Sequence, residues 1–148
     1  MSANFTLAML KPDTVSKGYV GPILSKITEA GFKIRALKMT AFSTEDAQRF
    51  YEKHRKCLFF DSLVTFMSSG PIVAVVLEKE NAIEDFRTLI GVTDPEKTNE
   101  DTIRRLYAES VEKNAVHGSD SEKNALKEIL FHFTRKEILL PEGLPSPF

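Results

Sequence analysis

The run Ile72-Val73-Ala74-Val75-Val76-Leu77 constrains this chain more than any other stretch. Gly70-Pro71 stops whatever precedes it, and six apolar residues then follow without a polar interruption. The run is far too short to cross a bilayer. It reads as a buried strand with both faces apolar. The chain therefore folds around an interior strand, and the remaining sequence has to supply its neighbours.

Phe5, Leu7 and Met9 alternate with Thr6 and Ala8, which predicts an opening strand that Lys11-Pro12-Asp13 breaks. Pro22 suits the first turn of a helix, with Ile23, Leu24, Ile27 and Ala30 at helical spacing and Gly31 at its end. Phe32 to Phe42 is a second strand, although Lys33, Arg35 and Lys38 blur its alternation. Ser43 followed by Asp46 resembles a capped helix start, with Ala47, Phe50 and Tyr51 facing one way. Phe59, Phe60, Leu63, Val64 and Met67 mark another short helix. Asn81 to Ile90 is helical, with Gly91 just past its end. A polar loop, Val92 to Asp101, leads to a helix over Thr102 to Ala108. Ala115 to His117 is a short strand before the Gly118-Ser119-Asp120 turn, with Ser119 and Asp120 reading as the cap of the last helix. That helix spans Ser121 to Phe133, with Ala125, Leu126, Ile129 and Leu130 inward. Pro141, Pro145 and Pro147 predict an extended tail over 136–148.

No internal repeat, low-complexity tract or linker divides the chain, so residues 1–148 read as one domain. Leaving out the extra helices gives the order β-α-β-β-α-β, which is ferredoxin-like. The expected class is α+β: an antiparallel sheet with helices packed on one side, plus the extra helices. Many activities share that fold, so function has to be read from a site.

Twenty basic residues oppose twenty-one acidic ones, a net charge of −1. That balance advertises no broad basic face, so nucleic acid is not an expected partner. Any anion site has to be built locally. Cys57 is the lone cysteine, which excludes an intrachain disulfide or a CxxC site and fits a reducing cytoplasm. Met1 to Leu10 lacks the charged-then-apolar order of a signal peptide, and neither secretion nor membrane insertion is expected. The sequence has no P-loop, no G-x-G-x-x-G, no H-E-x-x-H and no Cys/His cluster. If phosphates are handled, side-chain cations must do it in place of a glycine cradle.

The richest stretch is Asn114-Ala115-Val116-His117-Gly118-Ser119-Asp120. An imidazole of ordinary pKa, about 6.5, is a good nucleophile near neutrality once a hydrogen bond fixes its tautomer. Glu128, on the following helix, suits that orienting role, and Ser119 suits holding Glu128. Asn114 lies three residues before His117 and suits a substrate hydroxyl.

In this order the sequence resembles the nucleoside diphosphate kinase family over nearly its whole length. Lys11-Pro12-Asp13 matches the family's opening K-P-D, and Tyr51-Glu52-Lys53-His54 its Y-x-x-H, with Phe59-Phe60 at the familiar distance. Ser69-Gly70-Pro71 matches S-G-P, and Arg87 to Gly91 with Thr93-Asp94-Pro95 matches R-x-x-x-G-x-T-x-P. Thr102-Ile103-Arg104 matches T-I-R, and Asn114 to Asp120 matches N-x-x-H-G-S-D. The final fifteen or so residues lie outside the pattern. Asp101, Leu58 and Thr14 depart from residues common in the family, and none of the three removes a catalytic group.

The resemblance implies transfer of the terminal phosphate of a nucleoside triphosphate, typically ATP, to a nucleoside diphosphate, through a phosphohistidine at His117. Glu128 and Ser119 would stand behind that ring. Lys11 would contact the terminal phosphate and the sugar 3′-hydroxyl, and Tyr51 would sit beside the transferring phosphate. Arg87, Thr93 and Arg104 would hold phosphate oxygens, Asn114 the sugar hydroxyl, and Phe59 and Val111 the base. Three cations and stacking on Phe59 suit a polyanion with any base. Mg²⁺ would arrive on the nucleotide, with no metal held by the protein. The family also implies a homo-oligomer, a tetramer or hexamer built from dimers, and the tail could pack on a neighbour.

Taken one at a time, the same residues have plainer roles. Lys11 and Arg87 suit solvated surface, Tyr51, Phe59 and Val111 suit a core, Thr93 a turn, and Arg104 a pair with Asp101. His54 suits packing or capping, and His132 a structural place on the last helix. A nucleotide-binding module without catalysis would use the same fold but would be expected to lack His117, Lys11 or an arginine, all of which are present.

Overall fold

The structure, a computed structural model, describes residues 4–148. The opening strand forms as β1 (Phe5–Leu10), and every residue in it is buried. After it come α1 (Pro12–Ser16), α2 (Val20–Glu29), β2 (Lys33–Ala41), α3 (Thr44–Phe50) and α4 (Phe60–Met67). The apolar run becomes β3 (Pro71–Glu78), followed by α5 (Ala82–Ile90), α6 (Ile103–Tyr107), β4 (Val116–Gly118) and α7 (Glu122–His132). Single 3-10 turns cover Glu52–His54, Pro95–Lys97 and Arg135–Glu137.

The strands run in the order β2-β3-β1-β4, all pairs antiparallel. That is the ferredoxin-like sheet expected from the element order. Leu7 and Met9 with Ile72, Ala74 and Val76 belong to one core cluster, and Ala8 and Leu10 with Val73, Val75 and Leu77 to another. Alternate residues of a strand serve opposite faces. Helices α2 and α5 cover the second face with Ile23, Ile27, Phe86 and Ile90. That pair lies on one side of the sheet, as the ferredoxin-like order implies. The extra helices α3, α4 and α7 cover the first face with Ala47, Leu63, Met67 and Ile129. The physical reason lies in β1 and β3, which are apolar on both faces. An uncovered face would leave several side chains in water, at about 1.5–3 kcal/mol each.

Sequence and structure part at several element ends. Pro12 does not merely break β1; it opens α1, where its missing N–H costs nothing. The last strand is Val116–Gly118, because Ala115 has φ +75 and cannot lie in a sheet. Val116 N–H donates to Asn114 O at 2.9 Å, closing a γ-turn around Ala115. Lys11 N–H donates to Ala115 O at 2.9 Å, so the strained turn is pinned to the end of β1. Thr14, one of the departures, adds its own hydroxyl to Lys11 O at 2.8 Å and Ala115 O at 3.4 Å.

Helix α7 is capped by Ser121, whose hydroxyl accepts from Asn124 N–H, and not by Ser119 or Asp120. Its inward residues are Ala125, Glu128, Ile129 and His132, while the expected inward Leu130 is exposed. The tail is extended except for the 3-10 turn over Arg135–Glu137, where Thr134 and Glu137 form a capping box, and a turn closed by Leu144 N–H to Pro141 O at 3.1 Å. It packs on its own chain: Leu140, Leu144 and Phe148 join the first core cluster, and the Phe148 ring meets Phe5 edge-on at 5.2 Å.

Deleting Leu140 to Phe148 exposes Phe5 and removes three apolar side chains from that cluster. We expect a loss of about 2–4 kcal/mol of unfolding free energy, measured by chemical denaturation. An unchanged midpoint and slope would show that the tail contributes nothing.

Candidate active site

The register places His117 opposite Met9, on the sheet face covered by α3, α4 and α7. The rings of Phe50 and Tyr51 meet the imidazole edge-on at 5.4 and 6.2 Å. His117 Nε2 lies 2.8 Å from Glu128 Oε1. Ser119 Oγ donates to the same oxygen at 2.7 Å, and Leu7 N–H donates to Ser119 Oγ at 3.1 Å. A chain of hydrogen bonds thus runs from the backbone of β1 to the ring.

Burial opposes the charge on Glu128, but bonds from His117 and Ser119, with the charge of Lys53, outweigh it and hold the carboxyl below its usual range. An ionised carboxylate only accepts. Nε2 therefore carries a proton, and in the neutral tautomer Nδ1 is the nitrogen with the lone pair. Glu128 is not the solvated helix carboxylate that its type alone would suggest.

Lys11 is buried at the end of β1, and its Nζ donates to Asn114 Oδ1 at 2.7 Å. Burial, then the charge of Arg104, lowers its pKa to about 7. Tyr51 is buried too, and its hydroxyl has no hydrogen-bond partner. Burial, with the charge of Glu128, pushes that phenol well above its ordinary range, so it stays a donor. A buried donor left open costs free energy unless something accepts from it.

Arg104 does not pair with Asp101. Its three nitrogens donate to Asn114 O at 3.2 Å, Gly91 O at 2.8 Å and Val116 O at 2.9 Å. The guanidinium ties α6 to the strand carrying His117. Burial and the neighbouring Arg87 lower its pKa to about 10, still charged at neutral pH. Gly91, at φ +90, lets the chain turn past the Thr98 and Thr102 hydroxyls, where a Cβ would sit 2.1 and 2.8 Å from oxygen. A cavity of about 650 Å³ opens beside these groups, lined by Arg87, Thr93, Lys97, Arg104 and Gly118 among others.

His117, Glu128 and Ser119 are hydrogen-bonded together with Tyr51 against the ring, and Lys11 and Asn114 are bonded to each other. Arg87, Thr93 and Arg104 share a cavity whose lining includes Gly118, the residue that follows His117 in the chain, but not His117 itself. Phe59 and Val111 lie outside both groups; each is half exposed, so neither is a core residue. Leu58, another departure, is fully exposed beside Phe59.

Two residues join the site beyond those expected from the sequence. The His54 ring lies between Tyr51 and Phe59, at 6.4 and 5.4 Å from theirs, which joins the histidine to the outer aromatic. Its place in Y-x-x-H was the available signal. Lys53 pairs with Asp120 at 2.6 Å and anchors the Tyr51 segment to the turn after β4. Lys53 and Asn124 hold the Asp120 carboxyl down to about 2. His132 is buried among Phe42, Phe50 and Phe131, where burial keeps it neutral, in keeping with a structural place.

Among the described residues, no group of three or more His, Cys, Asp or Glu is arranged to hold a metal ion. None of their helices is long and apolar enough to cross a membrane.

Known proteins share both the sequence and the fold. A family model described as nucleoside diphosphate kinase matches residues 4–138. A nucleoside diphosphate kinase of Flavobacterium psychrophilum is 56% identical over 137 residues, 93% of this chain and 99% of that one. One from Chlorobium limicola is 52% identical, covering 90% of this chain and 96% of the other. Among solved structures, the Aquifex aeolicus nucleoside diphosphate kinase superposes with a TM-score of 0.90 at 47% identity, covering 92% and 99% of the two chains. The Halobacterium salinarum enzyme, solved in complex with CDP, gives 0.89 at 33% identity, covering 96% and 94%. With the model spanning nearly all of it, the chain belongs to the nucleoside diphosphate kinase family, phosphotransferases that move a terminal phosphate between nucleotides.

Proposed function

We propose that His117 carries the phosphoryl group, and that it does so on Nδ1. The supporting observation is the 2.8 Å contact of Nε2 with an ionised Glu128, which leaves Nδ1 as the nucleophilic nitrogen. The Nδ1 lone pair attacks the terminal phosphorus of a nucleoside triphosphate, typically ATP. An N–P bond forms as the bond from phosphorus to the bridging oxygen breaks, and the diphosphate leaves with that electron pair. A second nucleoside diphosphate then attacks the same phosphorus and returns the ring to its starting state. Glu128 faces the positive charge that spreads to Nε2 during attack, and Ser119 keeps the carboxylate in place.

In this reading the remaining residues position the polyanion. Lys11 supplies a point charge to the terminal phosphate and the 3′-hydroxyl, and Asn114 bonds the sugar. The open Tyr51 hydroxyl donates to a transferring oxygen. Arg87, Thr93 and Arg104 take the other phosphate oxygens, and His54 stands beside Tyr51 and Phe59. Phe59 and Val111 enclose the base through its apolar faces, which tolerates any base. The groups lining the phosphate position are cations and hydroxyls, suited to an anion. Mg²⁺ therefore enters with the nucleotide, where it offsets phosphate charge.

We also propose a homo-oligomer, a tetramer or hexamer of dimers, in a reducing cytoplasm. Edge strand β2 leaves Leu37 and Met39 about half exposed, a surface that a second copy would cover. Light scattering reads the assembly directly; a monomer mass would contradict it.

His117→Ala should abolish phosphoryl exchange while nucleotide affinity, by equilibrium titration, stays within about threefold, because the cations remain. Exchange at the native rate would remove His117 from the reaction.

The low pKa of Lys11 fixes a pH dependence. Below about 7 the free enzyme holds the charge that binds phosphate; above it the proton is lost. Nucleotide KM should rise towards tenfold per pH unit on the alkaline side, and the trend should vanish in Lys11→Ala. A flat profile in the unmodified protein would contradict this role.

A further inference from the structure

The walls of the base slot stand on unequal supports. Phe59 caps α4, a helix packed into the first core cluster through Leu63, Val64 and Met67. Val111 sits at the tip of a turn, residues 109–113, in which every residue is exposed. The turn is closed by Glu109 N–H to Lys113 O at 2.9 Å and Lys113 N–H to Ser110 Oγ at 3.0 Å. Its C-terminal base is held where Lys11 and Arg104 bond Asn114. Nothing apolar holds the tip.

Across the gap, Ser62 Oγ donates to Glu112, at 2.7 Å from one carboxylate oxygen and 2.8 Å from the other. Ser62 lies in the first turn of α4, three residues from Phe59, and Glu112 adjoins Val111. Each end of this bond is therefore built onto one wall of the slot. Dispersion across a stacked base falls off steeply; a gap wider by 0.5–1 Å forfeits roughly a quarter to a half of it.

We propose that Ser62 and Glu112 form a latch that sets the width of the base slot, so that both are positioning residues for the nucleoside and not for the phosphates. This rests on the proposed seat of the base between Phe59 and Val111. The latch is a charge-assisted bond at the surface, of modest strength. It joins the two proposed base walls, and neither residue bonds His117 or Lys11. Its loss should therefore weaken affinity without slowing the chemical step. Glu112 also acts by charge on Lys11, so its removal alone mixes two effects, whereas Ser62 carries no charge.

The test measures dissociation constants for ADP and for inorganic tripolyphosphate, which has phosphates but no base. Ser62→Ala and Glu112→Ala should each weaken ADP binding about three- to tenfold. Tripolyphosphate affinity in Ser62→Ala should be unchanged, and so should its turnover at saturating nucleotide. The double variant should be no weaker than the worse single one. Glu112→Gln keeps a carbonyl that accepts from Ser62 and should recover most of the ADP affinity that Glu112→Ala loses. The latch is overturned if ADP binds Ser62→Ala normally, if the two losses add, or if tripolyphosphate weakens in step with ADP in Ser62→Ala. Phe59→Ala separates the two levels. Normal ADP binding in that variant overturns the base slot itself, whereas weakened binding there with normal binding in Ser62→Ala overturns the latch alone.

Discussion

The hydrogen bond between His117 Nε2 and Glu128 Oε1 is the contact on which the rest of the site depends. Without it the imidazole has two similar nitrogens and a free rotor. With it, Nε2 is committed to the carboxylate and Nδ1 is the nitrogen left without that partner. The contact is itself held from behind. Ser119 donates to Glu128, and Leu7 in the central strand donates to Ser119, so the ring's orientation is referred back to the backbone of β1. A carboxylate buried this deeply survives ionised only because each partner is in place.

That requirement accounts for the second layer of helices. The ferredoxin-like pair, α2 and α5, covers one face and would leave His117 on bare sheet. Helix α7 supplies Glu128, and the end of α3 supplies Phe50 and Tyr51 around the ring. The added layer thus shields the imidazole from water and fixes its direction. On the far side of β4, Arg104 gives its fork to three backbone carbonyls. It fixes the γ-turn at Ala115 while keeping its charge beside Arg87. One guanidinium thereby organises the strand and places a positive charge beside the cavity.

Much of this was legible in the residues. The alternation in Phe5 to Met9, the Ser43 cap and the apolar run at Ile72 named their elements, because each signal is local. The run was also the clue that both faces of the sheet are covered, a point that element order alone obscured. Glu128 and Ser119 could be paired with His117 from the motif. The partner of Arg104 could not, because its acceptors are backbone carbonyls that exist only once three segments converge. Helix α1 and the α7 cap were missed for a related reason: Pro12 and Ser119 fit two local roles each, and tertiary contacts chose between them. Phe59 and Val111 suited a core by type, yet lie half exposed, because one starts a short helix and the other stands on an exposed turn.

The most direct measurement is the position of phosphate on the protein after incubation with ATP and no acceptor. Acid-labile, base-stable phosphate on Nδ1 of His117, identified by NMR of the intact phosphoprotein, is the predicted result. Phosphate on Nε2, or on any other residue, would contradict the assignment of the Glu128 contact as the feature that selects the reacting nitrogen.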